Sequence, residues 1–399
     1  MGCQGFRGLE APQIPGIPAI PVLKQGKNHS TKNFAIIRSL SRKKPPQQVP
    51  AIQVRKAEHL RLCAEADVEF QEKTTWLECV HLVHDAIGGL DCDEISTQTT
   101  FLGRRLKAPL MISAISGGFA AARDLNRDLA QVAQELGIAF CLGSQRPMLE
   151  DPSRIGSYAV RRYAPDIPIV GNIGLQQAAA HDPKDIARLV SSIEADGLAV
   201  HLNAAQELGQ SEGDRSFAGG LKSLRALARL LPGRVMVKET GCGISREAAR
   251  KIKAAGVSIL DTAGAGGTSW TRVERLRRGP GPSAGPWLDE WGIPTAASLW
   301  EAAPFDFKLV GSGGIRTGLD AAKCLALGAD VVGLALPVVR AYARGGRDGA
   351  RACLRQVISD LKAVMLLVGA RDIPALKKHN PVITGTLREW INHRSRKPK

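Results

Sequence analysis

Residues 307–337 hold one complete structural unit: Phe307-Lys308-Leu309-Val310, then Gly311-Ser312-Gly313-Gly314-Ile315-Arg316, a helix-like stretch from about Thr317 to Ala329, and a second apolar run, Val331-Val332-Gly333-Leu334. A short β-branched run, a glycine turn, a helix and another run is the βαβ signature. The same pattern extends upstream to residue 109. Six more runs are Pro109–Ser113, Ile138–Leu142, Ile167–Val170, Leu198–His201, Val235–Lys238 and Val257–Leu260, making eight in all. Most follow one another at roughly 30 residues, the size of one strand-plus-helix unit.

Strands that are apolar throughout, alternating with helices, form a parallel sheet covered on its faces. Eight of them favour closure into a (β/α)8 TIM barrel of the α/β class, with a doubly wound open sheet as the alternative. Between the first two runs, Leu125, Leu129, Val132 and Leu136 recur at helical spacing before Gly137, which predicts a helix over 120–136. Residues 51–108 are expected to form an N-terminal helical cap on a barrel reaching residue 370. Residues 271–300, with Gly279-Pro280-Gly281-Pro282 and three tryptophans, are expected to leave the rim as an insertion.

The net charge of +16 would point to a polyanion partner if it covered a folded face. It does not. Residues 1–56 hold ten Lys/Arg against Glu10 alone, and residues 371–399 hold eight against Asp372 and Glu389, so the body between is close to neutral. Residues 1–50, with Pro12, Pro15, Pro18 and Pro21 at a spacing of three, read as a disordered basic extension, and 371–399 as a basic C-terminal tail. The eight cysteines never form C-x-x-C, which disfavours a zinc ribbon and fits reduced thiols in a cytoplasmic protein. No signal-peptide h-region and no spanning apolar stretch is present, so no membrane partner is expected.

In a closed barrel the chemistry lies where each strand ends. Here the ends are Ala114-Ile115-Ser116-Gly117-Gly118, Gly143-Ser144-Gln145-Arg146, Gly171-Asn172-Ile173-Gly174, His201 to Glu207, Lys238-Glu239-Thr240-Gly241, Thr262 to Ser269, Gly311 to Arg316 and Ala335-Leu336-Pro337. Glycines let a flat or phosphorylated ligand approach the backbone. Gly311-Ser312-Gly313-Gly314 ahead of a helix near Thr317 is read as an anion site for a cofactor phosphate, with a tight turn as the plainer alternative. Lys238 is open to three readings: a Schiff-base lysine, a cation beside a flavin, or the partner of an acid. His201, Asn203, Gln206 and Glu207 crowd the fourth end, where a carboxylate can hold Mg²⁺. Glu212 and Asp214 add carboxylates or form a solvated loop. Arg55, Lys56 and His59 share one helical turn, either a diphosphate clamp or an ordinary basic helix start. His81 and His84 lack a third ligand and are read as structural.

Taken together, Arg55-Lys56-Ala57-Glu58-His59, Gly143 to Arg146, His201-Leu202-Asn203 with Gln206-Glu207, Glu212 to Arg215, Val237-Lys238-Glu239 with Gly243 to Ser245, and Gly264 to Trp270 resemble the type II isopentenyl diphosphate isomerase family. The resemblance runs from about residue 54 to 370. It implies FMN working in its reduced form with NADPH as reductant, Mg²⁺, and a homo-oligomer, tetramer or octamer. By position, Arg55, Lys56, His59 and Arg146 would hold the substrate diphosphate with His201 and Asn203. Glu207 would bind Mg²⁺, and Gln206 would orient the alkene as the catalytic residue. FMN would rest on Ala114, Ile115, Ser116, Ser144, Asn172, Lys238 and Thr268, with its phosphate at Gly313, Gly314 and Arg316 and Ala335 and Leu336 beside it. Ile115-Ser116 replaces the usual Met-Thr, and Ala204-Ala205 a Pro-Leu.

Two rivals remain. A hydroxy-acid oxidase on the same barrel should carry a histidine base near the sixth and seventh run ends, where none stands. A degenerate barrel binding through its basic tails should have lost its polar loop ends, which are intact.

Overall fold

The computed structural model describes residues 51–210, 212–278 and 285–395, so the expected extension at 1–50 lies outside the described residues. Eight parallel strands follow one another around a closed barrel: β1 (Leu110–Ile112), β2 (Ala139–Cys141), β3 (Ile169–Gly174), β4 (Gly197–His201), β5 (Val235–Lys238), β6 (Ile259–Asp261), β7 (Lys308–Ser312) and β8 (Val331–Leu334). Closure is made by β8 against β1, with Val332 opposite Leu110 and Leu334 opposite Ile112. That pairing excludes the open sheet.

Side-chain alternation sorts each strand between two cores. Met111, Ala139, Cys141, Val170, Ala199, Met236 and Val310 fill the barrel interior. Their neighbours Leu110, Ile112, Phe140, Leu198, Val200, Val237 and Leu309 face outward into the layer shared with the helices. The bottom is plugged by the hairpin Thr99–Phe101/Arg104–Leu106, whose Phe101 and Leu106 join the interior cluster. β3 extends through Gly171-Asn172-Ile173-Gly174, expected as loop, because each of these residues has a partner in β4, down to Gly174 opposite His201. Pairing overrides the low strand preference of glycine and asparagine.

α1 (Ala51–Glu65) carries the basic motif. α2 (Ala120–Leu136) has the expected bounds: Leu125, Leu129 and Val132 are buried, and Gly137, at φ 64°, caps it by donating to Ala133 O. After β4, β6, β7 and β8 come α3 (Ala204–Gly209), α4 (Trp270–Arg278), α5 (Gly318–Ala326) and α6 (Leu336–Leu367, broken at Gly345 and Gly346). Residues 51–108 therefore serve both ends of the barrel, with α1 over the strand C-termini and the hairpin under the N-termini. The stretch read as a departing rim insertion instead starts with α4 lying against α1 and α3.

Residues 371–395 of the basic C-terminal stretch also fold. Val382–Ile383 pairs with Val80–His81, and Trp390 Nε1 and Arg394 Nε donate to the buried Glu301 Oε1 at 2.9 and 2.7 Å. His81 and His84 are taken up by Thr384 Oγ1 and Leu367 O, as structural histidines are. No described helix is long and apolar enough to cross a membrane.

Candidate active site

A cavity of about 240 Å³ opens at the C-terminal ends of the strands, beneath α1 and α4. Every side chain expected to hold cofactor, diphosphate or metal lines it, except Asn172. Barrel closure is what assembles them, since they come from α1 and from the loops after seven strands.

α1 contributes one face. Lys56 uses two of its three donors within the protein: Nζ donates to Gly117 O at 2.8 Å and Ser144 O at 3.0 Å, tying the loops after β1 and β2 together. Burial, with Arg55 close by, pushes its ammonium down to about 7. Arg55 donates to Gln210 Oε1 at 3.0 Å, and Arg146 pairs with Glu150 at 2.9 Å one helical turn on. The same two loops need Gly143, because a Cβ there would lie 2.4 Å from the Ser116 carbonyl carbon.

At the end of β4, His201 Nδ1 lies 2.8 Å from Asn172 Oδ1, and Asn172 Nδ2 donates to Leu142 O at 3.0 Å. Asn172 thus stands behind the wall as the residue that orients His201, which is why it does not reach the cavity. Its amide oxygen requires Nδ1–H, leaving Nε2 the acceptor of a neutral ring. Burial, then Lys238 and Lys56, pushes His201 down to about 3. Asn203 Nδ2 donates to Glu207 Oε1 at 2.7 Å.

On the floor, Lys238 Nζ donates to Glu239 O at 2.7 Å. Beside it Asp261 is buried, its Oδ1 accepting from Ser312 Oγ at 2.6 Å, and burial raises its carboxyl above the ordinary range. Asp261 Oδ2 and Ser113 Oγ are buried without a protein partner. Both belong to residues of the cavity lining. Unmet donors and acceptors on a concave wall of mixed polar and apolar residues fit a ring system with polar edges, such as a flavin, and Lys238 would stand beside it.

The anion site expected ahead of α5 is the turn that carries Gly313, Gly314 and Arg316. Thr317 and Asp320 form a capping box in which Arg316 N and Thr317 N both donate to Asp320 Oδ2 at 3.0 Å, so these two backbone groups are taken. What faces the cavity is the turn before the helix, Gly313 and Gly314 at φ 100° and 74°, with the Arg316 guanidinium. Arg316 and Arg340 share Glu69, the latter at 2.7 Å. These glycines also have a packing reason, since a Cβ on Gly313 would meet the Gly264 backbone.

Sequence reading missed Glu274. It is fully buried, accepts from Gln206 Nε2 at 3.0 Å, Gln210 Nε2 at 2.6 Å and Arg277 Nε at 2.8 Å, and lies 3.0 Å from His59 Nε2. Burial alone would raise its carboxyl, but the hydrogen bonds from His59 and Gln206 and the charges of His59 and Arg277 hold it down at about 2. His59 in turn meets the Trp270 ring edge-on at 5.4 Å. A helical signal was present, with Trp270 and Glu274 four apart, but its partners lie far away in sequence. Glu69 and Gln210 were missed for the same reason.

Among the described residues no group of three or more His, Cys, Asp or Glu is placed to hold a metal. Glu207 is the carboxylate of the cavity wall at the end of β4, with Asp261 on the floor. That fits Mg²⁺, which is commonly held by one or two carboxylates and completed by phosphate oxygens and water.

The chain matches the model of the FMN-dependent dehydrogenase family over residues 51–198 and 200–382. It is 44% identical over 342 residues to the isopentenyl-diphosphate delta-isomerase of Methanothermobacter thermautotrophicus, covering 85% of this chain and 96% of that one. It is 42% identical over 352 residues to the isopentenyl-diphosphate delta-isomerase of Pyrococcus abyssi, covering 86% and 95%. Among solved structures, one described as a lactate oxidase of Pediococcus acidilactici superposes with a TM-score of 0.60 at 15% identity, over 89% of this chain and 94% of that chain. Mandelate oxidase with (S)-2-phenylpropionate does so at 0.59 and 19%, over 88% and 98%. At those identities the two oxidases speak for the fold alone.

Proposed function

We infer the reaction from the premise that this chain belongs to the isopentenyl-diphosphate delta-isomerase family, on the barrel of the FMN-dependent dehydrogenases. It is an enzyme that converts isopentenyl diphosphate to dimethylallyl diphosphate. A proton adds to the terminal alkene carbon, another leaves the carbon two bonds away, and the double bond moves between them with no net redox change.

The observation that carries the assignment of roles is that one cavity gathers Arg55, Lys56 and His59 of α1 with Gln206 and Glu207 of α3, His59 and Gln206 meeting at Glu274 Oε1. Arg55, Lys56, His59 and Arg146 hold the diphosphate. His201, neutral in the free protein, joins them by taking up a proton that the arriving anion favours, assisted by Asn203. Glu207 would hold Mg²⁺, which would offset the charge of the diphosphate. Gln206, fixed by its bond to Glu274, orients the alkene.

FMN is held by Ala114, Ile115, Ser116, Ser144, Lys238 and Thr268, with its phosphate at Gly313, Gly314 and Arg316 and with Ala335 and Leu336 alongside. In its reduced form, maintained by NADPH, it supplies an electron-rich face and an acid/base nitrogen where the chain offers no well-placed carboxylate. Lys238 adds positive charge beside it, and α1 with Trp270 keeps water from the carbocation-like transition state. A cytoplasmic homo-oligomer, tetramer or octamer, completes the reading. Hydroxy-acid oxidation is disfavoured: among the described residues the histidines of the cavity are His59 and His201, and none comes from the ends of β6 or β7.

The test is proton NMR of isopentenyl diphosphate incubated anaerobically with the protein, FMN, Mg²⁺ and NADPH or dithionite, beside an oxidised-flavin control. Dimethylallyl diphosphate should form only in the reduced sample. Flavin bound without conversion would overturn the reading.

A further inference from the structure

The Glu212-Gly213-Asp214-Arg215 motif follows α3, and in the fold each of its residues is engaged. Asp214 N donates to Glu207 Oε2 at 2.8 Å. Arg215 Nη1 donates to Glu207 O at 3.1 Å, and Nη2 to Gln210 O at 2.7 Å. Asp214 Oδ2 accepts from Gln177 Nε2 at 3.1 Å, and Gln177 itself lines the cavity. Glu212 binds Arg277 of α4 at 2.8 Å and lies 3.8 Å from Arg55 of α1. Gly213 leaves no room for a side chain, because a Cβ there would stand 2.0 Å from Glu207 O.

We propose that residues 212–215 are a clamp that sets the orientation of the Glu207 carboxylate. Asn203 takes Oε1 and the Asp214 backbone takes Oε2, so each carboxylate oxygen is held by a donor. Arg215 holds the α3 backbone by two carbonyls, and Glu212 moors the loop to α4. The absence of a side chain at 213 is what allows the loop to fold back this closely. Asp214 and Arg215 are positioning residues, and neither Asp214 nor Glu212 needs to be a metal ligand for the clamp to work.

The proposal rests on Glu207 as the Mg²⁺ ligand, and the test separates the two. Manganese EPR with inorganic pyrophosphate as co-ligand measures cation affinity in the FMN-loaded protein without turnover. Glu207→Gln should abolish the site. Gly213→Ala and Arg215→Gln should each weaken Mn²⁺ about tenfold, the lower end of what misplaced supporting groups cost a metal site, and raise the Mg²⁺ requirement of turnover. FMN affinity, read by flavin fluorescence, should not change. Arg215→Lys, able to reach one carbonyl, should fall between. Arg215→Gln and Gly213→Ala binding Mn²⁺ within twofold of wild type, while Glu207→Gln loses it, would overturn the clamp. Full binding by Glu207→Gln would overturn the metal assignment beneath it. If Gly213→Ala does not retain FMN, Arg215→Gln decides.

Discussion

Glu274→Gln is nearly isosteric, yet it replaces a group that only accepts hydrogen bonds with one that both accepts and donates. Gln206, Gln210, Arg277 and His59 converge on the carboxylate from 2.6 to 3.0 Å in a fully buried site. A glutamine must turn its NH₂ either toward Arg277 or toward Gln206, Gln210 and His59. The magnitude follows in two ways. Moving a carboxyl from 4.5 in the unfolded chain to about 2 in the folded one contributes ~3 kcal/mol of stability at neutral pH. Breaking a buried ion pair by removing one partner costs about 3–5 kcal/mol. The two agree near 3 kcal/mol. Because the folded value is depressed, the stabilisation is complete above pH 4.5 and is lost as pH falls toward 2. Guanidinium unfolding followed by tryptophan fluorescence should show the variant about 3 kcal/mol less stable at pH 7, with the gap closing below pH 4.5. The variant should also turn over more slowly, since Gln206 loses its anchor. A gap under about 1 kcal/mol at pH 7, or one independent of pH, would refute this account of Glu274.

Gly143→Ala should abolish flavin retention, because the new methyl would enter the Ser116 backbone and force the loops after β1 and β2 apart; absorbance of the purified protein at the flavin bands reads this directly. Pyrophosphate affinity measured by calorimetry should fall as pH rises through about 7, where Lys56 loses the proton that burial and Arg55 make weak, and Lys56→Met should flatten that dependence. Chelation should stop turnover and Mg²⁺ restore it. Removing residues 1–50 should leave isomerisation intact, and salt-sensitive nucleic-acid binding lost with them would identify a separate role for the extension.

The barrel was legible because its evidence is local. Apolar strands, a glycine or polar turn after each, and the spacing of Leu125, Leu129 and Val132 report positions a few residues apart, and such patterns survive folding unchanged. The polar residues of the cavity were legible for a related reason: in this architecture they must follow strand ends. Less legible was what each residue does to its neighbour. Gly171 to Gly174 read as a loop and form strand because β4 pairs with them. Asp320, six residues past Gly314, takes the backbone N–H groups of Arg316 and Thr317, a pairing the glycine pattern did not announce.

By itself, then, the sequence determined the eight strand-helix units, the face on which the chemistry lies, and most of the residue types that face it, since these depend on periodicity and on turn chemistry within single segments. Tertiary structure alone decided the pairs. Lys56 reaches the loops after β1 and β2, Asn172 stands behind His201 instead of on the wall, and α4 brings Glu274 back onto α1 and α3. The physical reason is that a buried hydrogen bond or charge takes its energy from the partner that closure delivers within about 3 Å, and that partner can lie hundreds of residues away along the chain.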